Sequence, residues 1–153
     1  MVKYYNTMVV FEEIPNEITL AINITNCPCK CVGCHSQYLW EDVGEELTFE
    51  TLNKLIEKDK GITCICFMGG DGDVDYINSL GEYMRKNFKD LRVAWYSGRD
   101  EMSEKIVSKN FDYIKIGHYD MELGPLNNKT TNQILYKVEN GELNNITELF
   151  WKR

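Results

Sequence analysis

Four of the six cysteines of this 153-residue chain, Cys27, Cys29, Cys31 and Cys34, fall within eight consecutive residues. So short a stretch of backbone does not easily separate four thiols into two unstrained disulfides. Thiols crowded in this way read as ligands. Setting Cys29 aside, the spacing is Cys27-x3-Cys31-x2-Cys34, and Pro28 and Gly33 argue against a continuous helix through it. A loop of this kind can wrap three thiolates around one inorganic core. A cubic iron–sulfur cluster normally takes four cysteines, so three closely spaced ones imply an iron whose fourth position is open. An open position is where metal chemistry occurs, as it separates catalytic from structural zinc.

The same residues admit a zinc knuckle, with Cys31-x2-Cys34 completed by Cys64-x-Cys66 or by Cys29 and His35. Cys64 and Cys66 also have a plainer reading. They lie two apart in an apolar run, so in a strand they face one side, where free cysteine behaves as a small hydrophobe. They are expected in the core.

The chain has the size of about one domain, and residues 1–153 are read as a single unit. A hydrophobic fraction of 43% with 18 aromatics excludes intrinsic disorder. Seventeen Lys and Arg against twenty-four Asp and Glu give a net charge of −7, the wrong sign for holding nucleic acid through phosphate neutralisation. The apolar run Met8–Phe11 is too short for a signal-peptide core or a membrane span, so a cytoplasmic location without membrane contact is expected. A reducing compartment in turn favours metal or redox chemistry for the cysteines.

Strands alternate with helices along the chain. Glu17–Thr25 reads as a strand running into the cysteine loop at Asn26. Thr48 is a good N-cap for a helix carrying Phe49, Leu52, Leu55 and Ile56, stopped by Gly61. Ile62–Met68 reads as a strand buried on both faces. Val74–Phe88 is helical, with Val74, Ile77, Leu80, Met84 and Phe88 on one stripe. Leu91–Tyr96 reads as a strand, Glu101–Ser108 as a helix, Tyr113–Ile116 as a strand and Ile134–Val138 as a further short segment. Such alternation predicts right-handed βαβ units, a parallel sheet, and functional loops at the strands' carboxyl ends: Asn26–Trp40, Gly69–Asp75 and Ser97–Asp100. Asp71, Asp73, Asp75 and Glu82 match acidic positions of a calcium loop, but Tyr76 stands where the sharp turn requires glycine, and Val74, Ile77 and Leu80 belong to a helix. A calcium site is rejected.

The spacing Cys27-x3-Cys31-x2-Cys34 after a first strand resembles the signature of radical S-adenosylmethionine enzymes. The fuller string CPCKCVGCHSQYLW, with Gly33, His35 and Trp40, is similar to the activating proteins of class III (anaerobic) ribonucleotide reductases. The likeness extends more loosely to FMGGDGD, AWYSGRDE and NNKTTNQ. It implies that Cys27, Cys31 and Cys34 bind a [4Fe–4S] cluster whose open iron is chelated by the methionyl amine and carboxylate of S-adenosylmethionine. Gly33, Cys34 and His35 would approach the nucleoside, glycine standing where many radical enzymes have an aromatic residue. Gly69, Gly70 and Asp71 resemble the family's Gly-Gly-Glu element, with the backbone near the methionyl part and the carboxylate, kept as aspartate, accepting with nearby carbonyls from the ligand's ammonium. Ser97, with Gly98 and Arg99, would touch the ribose or carboxylate, and His118 and Asp120 could line the same face. Cys29 has no counterpart in the family pattern.

The implied fold is α/β, a partial, shortened and open βα barrel with a mostly parallel sheet. The implied activity is that of an oxidoreductase: one electron reaches the cluster from a donor such as flavodoxin or ferredoxin, S-adenosylmethionine is cleaved to methionine and a 5′-deoxyadenosyl radical, and a glycine α-hydrogen is abstracted from the anaerobic ribonucleotide reductase. No acid–base pair is required, since cluster and cofactor perform the difficult step. The alternatives are another glycyl-radical activase, a small-molecule radical enzyme, a zinc-binding module and an electron-transfer iron–sulfur protein.

Overall fold

The computed structural model describes residues 2–11, 13–25, 44–118, 122–124, 126 and 128–151. They form one eight-stranded sheet with two α-helices. In chain order the elements are β1 (Lys3–Val10), β2 (Thr19–Ile24), β3 (Glu45–Glu46), α1 (Phe49–Lys58), β4 (Cys64–Met68), α2 (Val74–Asn87), β5 (Arg92–Tyr96), β6 (Tyr113–Ile116), β7 (Ile134–Glu139) and β8 (Glu142–Asn145). The sheet order is β3-β1-β2-β4-β5-β6-β7-β8.

Local signals account for both helices. Thr48 Oγ1 accepts from the Thr51 N–H at 3.0 Å and caps α1. Asp73 Oδ1 accepts from the Tyr76 N–H at 3.2 Å and caps α2. Val74, Ile77, Leu80 and Met84 are buried on the stripe that their spacing predicts. Asp73 and Val74 are therefore committed to a helix start, in agreement with the rejection of a calcium loop.

The four central strands β2, β4, β5 and β6 are parallel, with Ala21 opposite Cys66, Cys66 opposite Ala94 and Ala94 opposite Tyr113. They follow one another across the sheet in sequence order, without reversal. Successive crossovers of one hand then fall on one side. Accordingly, Leu52 and Ile56 of α1 and Ile77, Leu80 and Met84 of α2 share a cluster with Leu20, Ile22, Ile65, Phe67, Val93, Trp95 and Ile114. The alternate residues face the opposite side. Cys64, Cys66, Ala94, Tyr96, Tyr113 and Leu135 pack there with Ile14, Leu126 and Phe150. Both faces of the central strands are thus buried, the reason for their nearly continuous apolar runs.

A mostly parallel sheet is not what forms, because only three of the seven pairings are parallel. β1 lies antiparallel to β2 and β3, and β7 antiparallel to β6 and β8. The result is a mixed α/β fold with a single, largely open, partly parallel sheet. Between β1 and β2, and between β7 and β8, the connection is too short for a crossover and selects the antiparallel arrangement. Between β7 and β8 the connection is Asn140-Gly141, both at positive φ, the tight hairpin turn that this dipeptide favours.

The expected helix over Glu101–Ser108 is also absent. Met102 and Ile106, four apart, pack against the core from irregular backbone. Asn78 of α2 donates to the Lys105 carbonyl at 2.7 Å and accepts from the Val107 N–H at 2.8 Å. Those tertiary bonds hold backbone groups that a helix would use internally. Among the described residues no helix is long and apolar enough to cross a membrane.

Gly81 lets α2 approach the 3-10 turn at Ser108–Asn110 and the residue that follows it. A Cβ at this position would lie 2.9 Å from Phe111 Cζ and 3.1 Å from Asn110 Cβ. Phe111 is fully buried beside Trp95, so the ring has little room to retreat. Alanine ordinarily gains about 1 kcal/mol over glycine inside a helix, but overpacking costs about 1–3 kcal/mol. The steric effect wins: Gly81→Ala is expected to destabilise the fold by up to about 2 kcal/mol, read as a lower urea midpoint at unchanged slope.

Candidate functional site at the carboxyl ends of the parallel strands

Because β2, β4, β5 and β6 run parallel, the segments beginning at Thr25, Gly69, Ser97 and Gly117 leave the sheet along one edge. Three of these exits are cross-braced by backbone bonds. The Gly69 N–H donates to the Tyr96 carbonyl at 2.9 Å, the Ser97 N–H to the Lys115 carbonyl at 2.8 Å and the Gly117 N–H to the Arg99 carbonyl at 2.5 Å.

Gly69 and Gly70 turn the chain at φ 113° and 92°, conformations that side chains disfavour. A Cβ on Gly69 would stand 3.3 Å from the Ile24 carbonyl oxygen. The glycine turn therefore lies against the last residue of β2, where the chain passes towards the cysteines. The Trp95 indole N–H donates to the Gly69 carbonyl at 2.7 Å and fixes the turn from beneath.

Asp71 completes the turn. Its carboxylate is buried and accepts from Ser97 Oγ at 2.5 Å and from the Gly98 N–H at 2.9 Å. The Arg99 N–H donates to Ser97 Oγ at 3.1 Å, and Arg99 Nη2 to the Asp71 carbonyl at 3.5 Å. The residues expected from the motifs after β4 and β5 thus meet in space.

Gly98–Ser103 and His118 line an open cleft of about 590 Å³. Across it, His118 Nδ1 lies 2.5 Å from Asp100 Oδ1, which also accepts from the His118 N–H at 3.1 Å. Part of the NNKTTNQ segment reaches the same place. Asn132 Nδ2 donates to the His118 carbonyl at 3.1 Å, and Gln133 Nε2 to the Gly117 carbonyl at 3.4 Å. No local signal announces the pairing of Asp100 with His118, or Trp95 as the support of Gly69; both depend on adjacent strand ends.

Cys27, Cys29, Cys31 and Cys34, with Gly33, His35 and Trp40, lie outside the described residues, as does Asp120. Cys64 and Cys66 are in the core, as their spacing predicts. Burial, with charged neighbours secondary, raises both thiols well above the usual range, so they are held protonated. Among the described residues no group of three or more His, Cys, Asp or Glu could hold a metal ion.

Hydrogen bonding from His118 lowers the Asp100 carboxyl below its usual 3.8. A depressed carboxyl stabilises the fold above the unfolded-state value and loses that contribution as pH falls through its folded value. The contact is solvent-exposed, so its worth is below about 1 kcal/mol. Asp100→Asn is expected to reduce the acid-induced fall in stability below about pH 3.8 and to leave the neutral region nearly flat, as read from urea midpoints across pH.

Residues 18–140 match the family model described as "4Fe-4S single cluster domain", a family found in radical S-adenosylmethionine-related proteins. No match was found among curated proteins or among solved structures.

Proposed function

Since the chain belongs to the 4Fe-4S single cluster domain family, we propose that Cys27, Cys31 and Cys34 hold its cluster with one iron left open, and that the protein is a radical S-adenosylmethionine activase. Its target in this reading is the glycyl-radical subunit of an anaerobic ribonucleotide reductase. The observation that carries the reading is the seat of the Gly69–Gly70 turn against Ile24, beside the point where the chain heads into the cysteine segment. The donor set fits such a cluster. Three thiols at x3 and x2 spacing follow β2, whereas Cys64 and Cys66 are buried, protonated and set into the sheet, which weighs against their completing a zinc site.

Cys27, Cys31 and Cys34 would hold the cluster, which when bound would supply the one-electron reduction of S-adenosylmethionine that removal of a glycine α-hydrogen from the reductase requires. The chain's own residues bind and orient. Gly69 and Gly70 bring bare backbone to the methionyl part of the ligand, a close approach that a side chain would block. Ser97 stands beside them at the next strand end, and Gly33, Cys34 and His35 serve the nucleoside from the cysteine segment. In this account the open, partly parallel sheet is the shortened barrel of a radical enzyme. The openness of that sheet suits a target that must present a backbone loop. The electron comes from a flavodoxin- or ferredoxin-type donor.

Anaerobic reconstitution is expected to give a brown protein with about four irons per chain. Alanine at Cys27, Cys31 or Cys34 is expected to abolish iron retention and to lower S-adenosylmethionine cleavage by more than the 10–100-fold typical of outer-shell changes, about the minimum for losing a ligand. Cys29→Ala is expected to retain both. One bound zinc without visible absorption would sink the reading. An intact, reduced cluster unable to cleave S-adenosylmethionine would make electron transfer the better account. A glycyl-radical EPR signal on mixing with the reductase tests the partner.

A further inference from the structure

Asp71 is 5% exposed, and its two carboxylate oxygens are engaged by a different loop, one by Ser97 Oγ and the other by the Gly98 N–H. The helix cap that an aspartate in such a turn could supply comes from Asp73 instead. Ser97 Oγ passes the connection on by accepting from the Arg99 N–H, and Arg99 Nη2 reaches back to the Asp71 carbonyl. On the sheet side, the Gly69 carbonyl is held by Trp95 and its N–H by the Tyr96 carbonyl. The glycine turn is therefore clamped at both ends by groups of the next strand and its exit.

We propose that Asp71 is a positioning residue. Its carboxylate ties the exit of β4 to the exit of β5 and so sets where Gly69 and Gly70 present their backbone, instead of meeting the ligand's ammonium with its own charge. The ligand's identity rests on the function proposed above; the tie itself does not. A buried carboxylate must keep its donors, because leaving either side unpaired carries the desolvation penalty of an ion. If Asp71 acts as a tie, the hydroxyl of Ser97 matters as much as the charge of Asp71. If Asp71 meets the ammonium, the charge matters and the hydroxyl hardly does.

The test compares Ser97→Ala, Asp71→Asn and the double variant in the full, anaerobically reconstituted chain. Two readouts are followed: amide hydrogen exchange at Gly69–Asp71 and Gly98, and S-adenosylmethionine binding through the EPR signal of the reduced cluster. Ser97→Ala, which keeps the aspartate, is expected to weaken binding about tenfold, the equivalent of one such hydrogen bond. Asp71→Asn is expected to do the same, and the double variant to be no worse than the weaker single, since both remove one interaction. Protection is lost at both loops in every variant, with iron content unchanged. Ser97→Thr, which keeps the hydroxyl, restores both readouts.

Wild-type binding by Ser97→Ala beside a loss of about 100-fold or more in Asp71→Asn would overturn the proposal. So would additive losses, or unchanged protection at Gly98 in Asp71→Asn. Should the variants not fold, Ser97→Thr against wild type carries the comparison, and weakened binding with lost protection there would count against the tie. If the reduced wild-type cluster ignores S-adenosylmethionine, the functional reading falls, and exchange at Gly98 then decides the tie by itself.

Discussion

Burial of both faces of four consecutive parallel strands is the constraint from which the rest of this structure follows. Parallel neighbours cannot be joined by tight turns, so α1 and α2 are needed as crossovers, and an unreversed strand order sends both to one face. The opposite face must then be covered by other means. Ile14, Leu126 and Phe150 do so from segments outside the strands. The arrangement also gathers the exits of β2, β4, β5 and β6 on one edge, where backbone bonds brace one exit against the next.

That edge is densely hydrogen-bonded where it is described. Asp71, Ser97, Gly98 and Arg99 join two exits by hydrogen bonds, and His118, Asp100 and Asn132 link the next pair. At the centre, Gly69 is bonded through both its N–H and its carbonyl while presenting no side chain. A site that must bring backbone close to a ligand benefits from both properties. The two core cysteines, meanwhile, are kept apart from the chemistry by desolvation, which holds their thiols protonated.

Much of the fold was legible from local signals. Thr48 and the amphipathic stripe of α2 announced their elements, and the apolar runs marked β4, β5 and β6 within a residue or two. The errors have physical causes. Glu101–Ser108 carries Met102 and Ile106 at helical spacing, yet the Asn78 amide engages the backbone there. β1 shows no clean alternation in sequence, because its strand is only partly buried. Asn140-Gly141 is a hairpin signal in its own right, readable from the dipeptide alone. In the site, Gly69, Gly70, Asp71 and Ser97 were visible as strand-end motifs, whereas Trp95 as a support and Asp100 as the partner of His118 were not.

Residue types and their order along the chain determined the elements, the inert character of Cys64 and Cys66, and the crowding of thiols after the first parallel strand. These depend on spacing, capping and hydrophobicity, which act over a few residues. The tertiary structure alone decided that the outer strands pair antiparallel, that Asp73 rather than Asp71 caps α2, and that Asp71 is bound to Ser97 and Gly98. Contacts between residues 26 or 27 positions apart exist only after strands have been placed side by side, and no local pattern encodes which donor a buried carboxylate will find.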